Sequence, residues 1–263
     1  MTVRNPRYAV VTGASTGLGR CIALELAKRK INTILTALPG ENLAAVSETC
    51  REMGTESEYF EFDMSDKSAL SDFAGTVNGR YEVFALVNNA GLGGSRRFGE
   101  APLRYIDTMV QVNVAATVIL THEFLQNLRR NARSYILNIS SMAGVVPSGY
   151  KTVYPASKAF IRYFSLGMRE EFKPDDISVS LAVLGPMPTK QEIASWIDRQ
   201  GFLGKALSLK PERVAEACVD GMFKGKRTIV PSVFNRFSMN LLKLAPECLS
   251  GMLMSRQVRR HEL

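Results

Sequence analysis

The 263-residue sequence contains no uninterrupted apolar run near the ~20 residues that cross a bilayer. Its opening, Met1-Thr2-Val3-Arg4-Asn5-Pro6-Arg7, lacks the apolar block of a secretory leader, so a cytoplasmic location is expected. Cysteine is sparse. Cys21, Cys50, Cys218 and Cys248 lie far apart, with no Cys-x-x-Cys pair and no Cys/His cluster, which points to reduced structural thiols and assigns no metal site. Internal repeats, low-complexity tracts and a dividing linker are also missing, which favours one continuous domain.

Positive charge is present but unevenly placed. The formal balance is +8, and residues 224–263 carry eight bases (Lys224, Lys226, Arg227, Arg236, Lys243, Arg256, Arg259, Arg260) against Glu247 and Glu262. The remainder is close to neutral, which argues against a nucleic-acid surface on the main body. In the tail, Met239, Leu241, Leu242, Leu244, Leu249, Met252, Leu253 and Met254 interleave with the cations. Such a segment packs on its own subunit or a partner, covers a substrate pocket, or touches an anionic membrane surface.

The 46% hydrophobic share is spread through the chain and supports a large core. Apolar runs at Tyr8–Thr12, Thr33–Ala37, Glu58–Phe62, Val83–Val87, Tyr135–Ile139, Val179–Leu184 and Thr228–Val230 read as strands. Helical patterns separate them, starting near Gly17, Glu41, Ser65, Val114, Tyr154 and Pro211. Alternating strand and helix units with right-handed crossovers predict an α/β chain: a Rossmann-type, doubly wound parallel sheet in a three-layer αβα sandwich.

The first strand ends in Thr12-Gly13-Ala14-Ser15-Thr16-Gly17-Leu18-Gly19. Glycines let backbone approach a pyrophosphate, and the positive end of the following helix favours its charge. Further on, Tyr154 and Lys158 stand four residues apart, and Ser141 precedes Tyr154 by thirteen. Positions i and i+4 share a helix face, so the Lys158 ammonium is expected close enough to favour the Tyr154 phenolate. Taken singly, these residues fit plain roles: an amphipathic helix start, a surface charge, a turn serine.

Together with Asn88-Asn89-Ala90-Gly91 and Asn113, in this order, they resemble the short-chain dehydrogenase/reductase family over residues 8–190. The tail is loosely similar to the 3-oxoacyl reductase and 17-beta-hydroxysteroid dehydrogenase subgroup. The resemblance implies hydride transfer between a nicotinamide cofactor and an apolar or amphipathic carbonyl or alcohol, with a non-catalytic dinucleotide sensor as the alternative. It makes Tyr154 the acid/base, Lys158 its tuning cation and ribose ligand, Ser141 the group that orients the carbonyl, and Asn113 part of a proton relay. Ser140 competes with Ser141.

By the same resemblance, Gly13, Ser15, Thr16, Gly17, Leu18, Gly19, Ala37, Leu38, Asp63, Met64, Asn89, Ala90, Gly91, Gly185, Met187 and Thr189 join Tyr154 and Lys158 around the cofactor. Two departures stand out. Ala37-Leu38 has neither the acid that selects NAD nor the arginine that clamps the 2′-phosphate, and Ser15, Thr16, Thr36, Arg20 and Lys28 are offered as phosphate partners, so NADP is favoured over NAD. Leu184-Gly185 replaces the usual Pro-Gly, with Thr189 retained. Residues 1–223 are expected as the catalytic domain, with a substrate lid at 187–209 bearing Trp196, Ile197, Phe202 and Leu203. Residues 224–263 then follow as the last strand and tail on the same domain. Arg96, Arg97 and Lys190 are placed to meet an acidic end of the substrate. A homodimer or homotetramer, built through the helices around Val114 and Phe160, is the expected assembly.

Overall fold

In the computed structural model, residues 6–188, 208–244 and 246–261 are described. Runs rich in aliphatic, β-branched or, in β3, aromatic residues form seven strands: β1 (Arg7–Thr12), β2 (Asn32–Ala37), β3 (Ser57–Glu61), β4 (Glu82–Asn88), β5 (Ser134–Ser141), β6 (Ile177–Leu184) and β7 (Thr228–Ile229). They form one sheet in the order β3-β2-β1-β4-β5-β6-β7, and every pairing is parallel. The described helices are α1 (Gly17–Lys28), α2 (Leu43–Glu52), α3 (Lys67–Arg80), α4 (Leu103–Val110), α5 (Ala116–Arg129), α6 (Val153–Glu171), α7 (Pro211–Phe223), α8 (Val233–Leu244) and α9 (Glu247–His261).

A parallel sheet needs cover on both faces, and the pleat supplies it residue by residue. Ala9 and Val11 of β1 point into a cluster with Ile22, Leu26, Val46 and Val219, beneath α1, α2 and α7. Tyr8 and Val10 point the other way, into a cluster with Leu70, Phe73, Leu120 and Phe124, beneath α3 and α5. Phe124 is fully buried and meets Phe73 nearly edge-on, with ring centroids 6.0 Å apart. Truncation to alanine there costs about 3–5 kcal/mol.

Strand order reverses between β1 and β4: the chain leaves β1 for β2 on one side and β4 for β5 on the other. A crevice opens beyond the carboxyl ends of these strands, where such sheets hold ligands. Gly13, Asn89, Ser141 and Gly185 all follow or end strands at that edge.

Two regions differ from the sequence reading. The long helix read around Val114 is preceded by α4 and a π-helical turn, Gln111–Ala115. The tail is two helices, α8 and α9, that follow β7, and β7 itself pairs with β6. Among the described residues no helix is long and apolar enough to cross a membrane.

Candidate active site

The glycine turn is built by close backbone approach. Gly13 has φ +63°, and a Cβ placed on it would stand 2.9 Å from Ala90 Cα; one on Gly19 would fall 2.0 Å from the Gly13 carbonyl oxygen. Neither position accepts a side chain. Thr12 Oγ1 accepts from the backbone N–H groups of Asn89 and Ala90, each at 3.0 Å. Asn89 Nδ2 donates to the carbonyls of Thr12 (2.8 Å) and Gly13 (3.1 Å), so Asn89, Ala90 and Gly91 are fastened to the turn. Thr12 was not singled out from the sequence, because a threonine closing a strand carries no motif of its own.

Thr16 is the N-cap of α1 but its side chain makes no capping bond, and the first turn, with Gly17, buried Leu18 and Gly19, holds no acid. The first amides of α1 therefore keep their donors and the helix its positive end, which suits a pyrophosphate. At the end of β2, Ala37 is buried and Leu38 exposed. Asp63 accepts from the N–H and hydroxyl of Ser65, each at 2.8 Å, while Met64 is buried in the core. Ser15, read as a phosphate partner, donates to Glu41 Oε2 at 2.5 Å. Glu41 was missed because it lies twenty-six residues further along the chain.

Strand alternation separates the two serines at the end of β5. Ser140 is buried and its hydroxyl donates to the Lys158 carbonyl at 2.8 Å, a structural role. Ser141 Oγ accepts from Ala143 N at 3.1 Å and is the hydrogen-bond partner of the Tyr154 phenol. Burial pushes that phenol above its ordinary range, and the Ser141 bond opposes the rise. Lys158, four residues on, is only 5% exposed, and its Nζ donates to the Ile139 carbonyl at 3.0 Å. Burial lowers its ammonium to about 8. Here burial is the largest influence on each group, and the Ser141 bond favours the phenolate.

Asn113 sits in the π turn, 1% exposed. Its Oδ1 accepts from Leu92 N at 2.7 Å, and its Nδ2 donates to the Leu92 carbonyl (2.9 Å) and Ser157 Oγ (3.0 Å). The side chain thus joins the loop after Gly91 to α6. A Cβ on Gly91 would lie 3.2 Å from both Asn113 Oδ1 and Lys158 Nζ, so these three residues converge. Ser157, which in turn donates to the Tyr154 carbonyl at 2.7 Å, is a further member that motif spacing does not reveal.

The sequence pattern of the short chain dehydrogenase family matches residues 7–199. The chain belongs to that family. It is 35% identical over 180 residues to the very-long-chain 3-oxoacyl-CoA reductase of Laccaria bicolor, covering 65% of this chain and 52% of that one. It is 30% identical over 263 residues to the protein of the same name from Coprinopsis cinerea, covering 89% and 76% respectively. The chain thus spans about half the length of the Laccaria relative. A solved metagenomic short-chain oxidoreductase in complex with NADP is 28% identical, with a TM-score of 0.70, covering 86% of this chain and 96% of that one.

In this short-chain dehydrogenase a small, open cleft lies beside Tyr154. Phe98, Tyr105, Ile106 and Met109 give it apolar walls, three of them from α4, and Arg96 and Lys151 stand at its edge. Arg96 lies over the Tyr105 ring (4.8 Å), Arg97 over Tyr150 (5.9 Å) and Lys151 over Tyr154 (5.6 Å). Tyr150 holds φ +64°, a left-handed conformation that is costly for an aromatic residue. Gly185 and Met187 follow β6 and line a smaller hollow with Leu184 and Leu209. Thr189, Lys190 and the lid residues Trp196, Ile197, Phe202 and Leu203 lie outside the described residues.

Proposed function

We propose that this short-chain dehydrogenase transfers hydride between a nicotinamide dinucleotide, NADP in preference to NAD, and a small carbonyl or alcohol with an apolar or amphipathic body, of the ketone, steroid or 3-oxoacyl type. The observation that carries the reading is the hydrogen bond between Ser141 and the Tyr154 phenol beside an apolar cleft, with the buried Lys158 four residues on. The bound dinucleotide supplies the hydride. In reduction Tyr154 donates its phenolic proton to the carbonyl oxygen, and in oxidation it takes the proton back. A phenol kept protonated by burial is suited to donation. Ser141 holds the carbonyl oxygen beside that phenol and polarises it.

Lys158 holds the ribose next to the nicotinamide and, with its pKa near 8, remains largely charged at neutral pH. Asn113 positions the lysine and the loop after Gly91 rather than touching substrate. The uncapped amides of α1, the Gly13–Gly19 turn, Ala37, Leu38, Asp63, Met64, Asn89–Gly91, Gly185, Met187 and Thr189 complete the cofactor site. The NADP preference draws support from the NADP complex of the metagenomic relative and from the absence of an acid at Ala37.

Assembly as a homodimer or homotetramer through α5 and α6 belongs to the same proposal, supported by Phe160 and Tyr163 of α6, 42% and 73% exposed. So does peripheral contact of the basic tail with a membrane. The test is titration of the purified protein with NADPH and NADH by cofactor fluorescence, followed by a screen of apolar ketones. Binding of neither cofactor, or binding with no ketone reduced, overturns the reading.

A further inference from the structure

Helix α8 keeps much of its apolar surface outward. Asn235 and Met239 are buried, whereas Val233, Phe234, Phe237 and Leu241 are 78%, 48%, 68% and 58% exposed. At about 100° per residue these four fall within one arc of about 100°, so the helix presents a continuous apolar stripe to solvent. Helix α9 adds Leu249, Met252 and Leu253, all exposed, with exposed Arg256 and Arg259 beside them. By sequence the two helices carry five bases, Arg236, Lys243, Arg256, Arg259 and Arg260, and one acid, Glu247.

A second copy of this chain would bring the same cations against one another as the apolar stripes met. An anionic bilayer matches both features: aliphatic and aromatic side chains enter the acyl boundary while arginines meet headgroup phosphates. The inner side of α9 grips the loop that precedes Tyr154, the substrate loop. Ser255 Oγ accepts from Gly149 N at 2.7 Å, and Gly251 packs so closely on Pro147 that a Cβ would stand 3.2 Å from its Cγ. Pro147 and Gly149 belong to the loop between Ser141 and Tyr154, which runs on into Lys151, Thr152 and Val153 of the cleft lining.

We infer that α8 and α9 form a docking face for an anionic lipid surface, and that Ser255 ties this face to the substrate loop, so that apolar carbonyl compounds reach Tyr154 from the bilayer. The inference rests on the peripheral contact proposed above and gives it a face, an orientation and an effect on the site. The residues involved make no contact with Ser141, Tyr154 or Lys158 among the bonds described, so docking and chemistry are separable by experiment.

The experiment is co-sedimentation of the full chain with vesicles of phosphatidylcholine alone or mixed equally with phosphatidylglycerol, alongside turnover of a water-soluble ketone. The wild type is expected to bind the anionic vesicles roughly tenfold more tightly than the neutral ones. The double variants Phe237→Asp/Leu241→Asp and Arg256→Gln/Arg259→Gln lose that binding and keep soluble turnover. Equal binding to both vesicles, or undiminished binding by the aspartate variant, overturns the docking face. So does a wild-type oligomer that the aspartate variant dissolves without any vesicle binding, which makes the face a subunit contact. Vesicle binding without turnover by any form leaves the docking face standing and removes the catalytic reading instead. Ser255→Ala binds vesicles like the wild type but loses a vesicle-induced fall in KM for a long-chain ketone of about fivefold. If it keeps that fall, the tie to the substrate loop is wrong.

Discussion

Ser15 Oγ donates to Glu41 Oε2 across 2.5 Å, joining the glycine turn to the loop ahead of α2. A carboxylate held there meets an arriving 2′-phosphate as a like charge and competes for the hydroxyl that would receive it. Glu41→Gln is therefore expected to tighten NADPH binding about tenfold, or ~1.4 kcal/mol, while NADH changes little. Paired fluorescence titrations check this; an equal gain for both cofactors would mean that Glu41 acts only through the shape of the turn.

Tyr154→Phe removes the transferable proton and leaves the ring in place. Turnover should fall about 10²–10⁴-fold with cofactor affinity preserved. Ser141→Ala should cost about 10²–10³ in kcat, because the carbonyl loses its donor. Single-turnover reduction beside cofactor titration separates the two effects, and unchanged turnover in Tyr154→Phe would sink the acid/base role.

Lys158 links the site to stability. Unfolded, its ammonium titrates near 10.5; folded, near 8, because burial disfavours the charge. Between those values the unfolded chain binds more protons, so this residue's contribution to stability rises with pH there, and its full cost is felt below pH 8. Relative to Lys158→Met, the wild type should gain about 2 kcal/mol between about pH 7 and about pH 9.5. Urea unfolding of both proteins at the two pH values is the measurement; parallel pH curves would show that burial does not govern the ammonium.

Ser157→Ala takes an acceptor from Asn113 Nδ2 in a buried setting. A loss of about 1–3 kcal/mol in unfolding free energy is expected, with Tyr154 chemistry largely retained. Asn113→Ala removes all three bonds and should cost more, lowering kcat as the Leu92 loop loses its tie to Ser157 of α6. Denaturant unfolding and kcat measured on both variants would reverse this ranking if Asn113 were a passive filler.

The sheet was legible because β1, β2, β4, β5 and β6 are largely buried apolar runs. Helix α4 was not, since its apolar residues Tyr105, Ile106 and Met109 serve the cleft, and Leu103, 79% exposed, blurs the periodicity. The choice between Ser140 and Ser141 needed the strand's pleat as well as spacing. Glu41 became visible only when folding brought it back to Ser15. The tail's interleaving of apolar residues and cations is visible in the sequence, but which side faces outward is set by Asn235 and Met239 turning in.

The π turn at Gln111–Ala115 puts α4 and α5 out of phase with one another. One residue more in a helical turn rotates everything beyond it by about 100°. A single rod therefore carries two independently addressed sides: Tyr105, Ile106 and Met109 toward the cleft, then Ala116, Leu120 and Phe124 toward the sheet. Exchanging side chains on the first stretch changes what the cleft admits while the second keeps its registration with the core. Removing one residue from the turn would bring the two stretches back into step and force one of these partners to be abandoned.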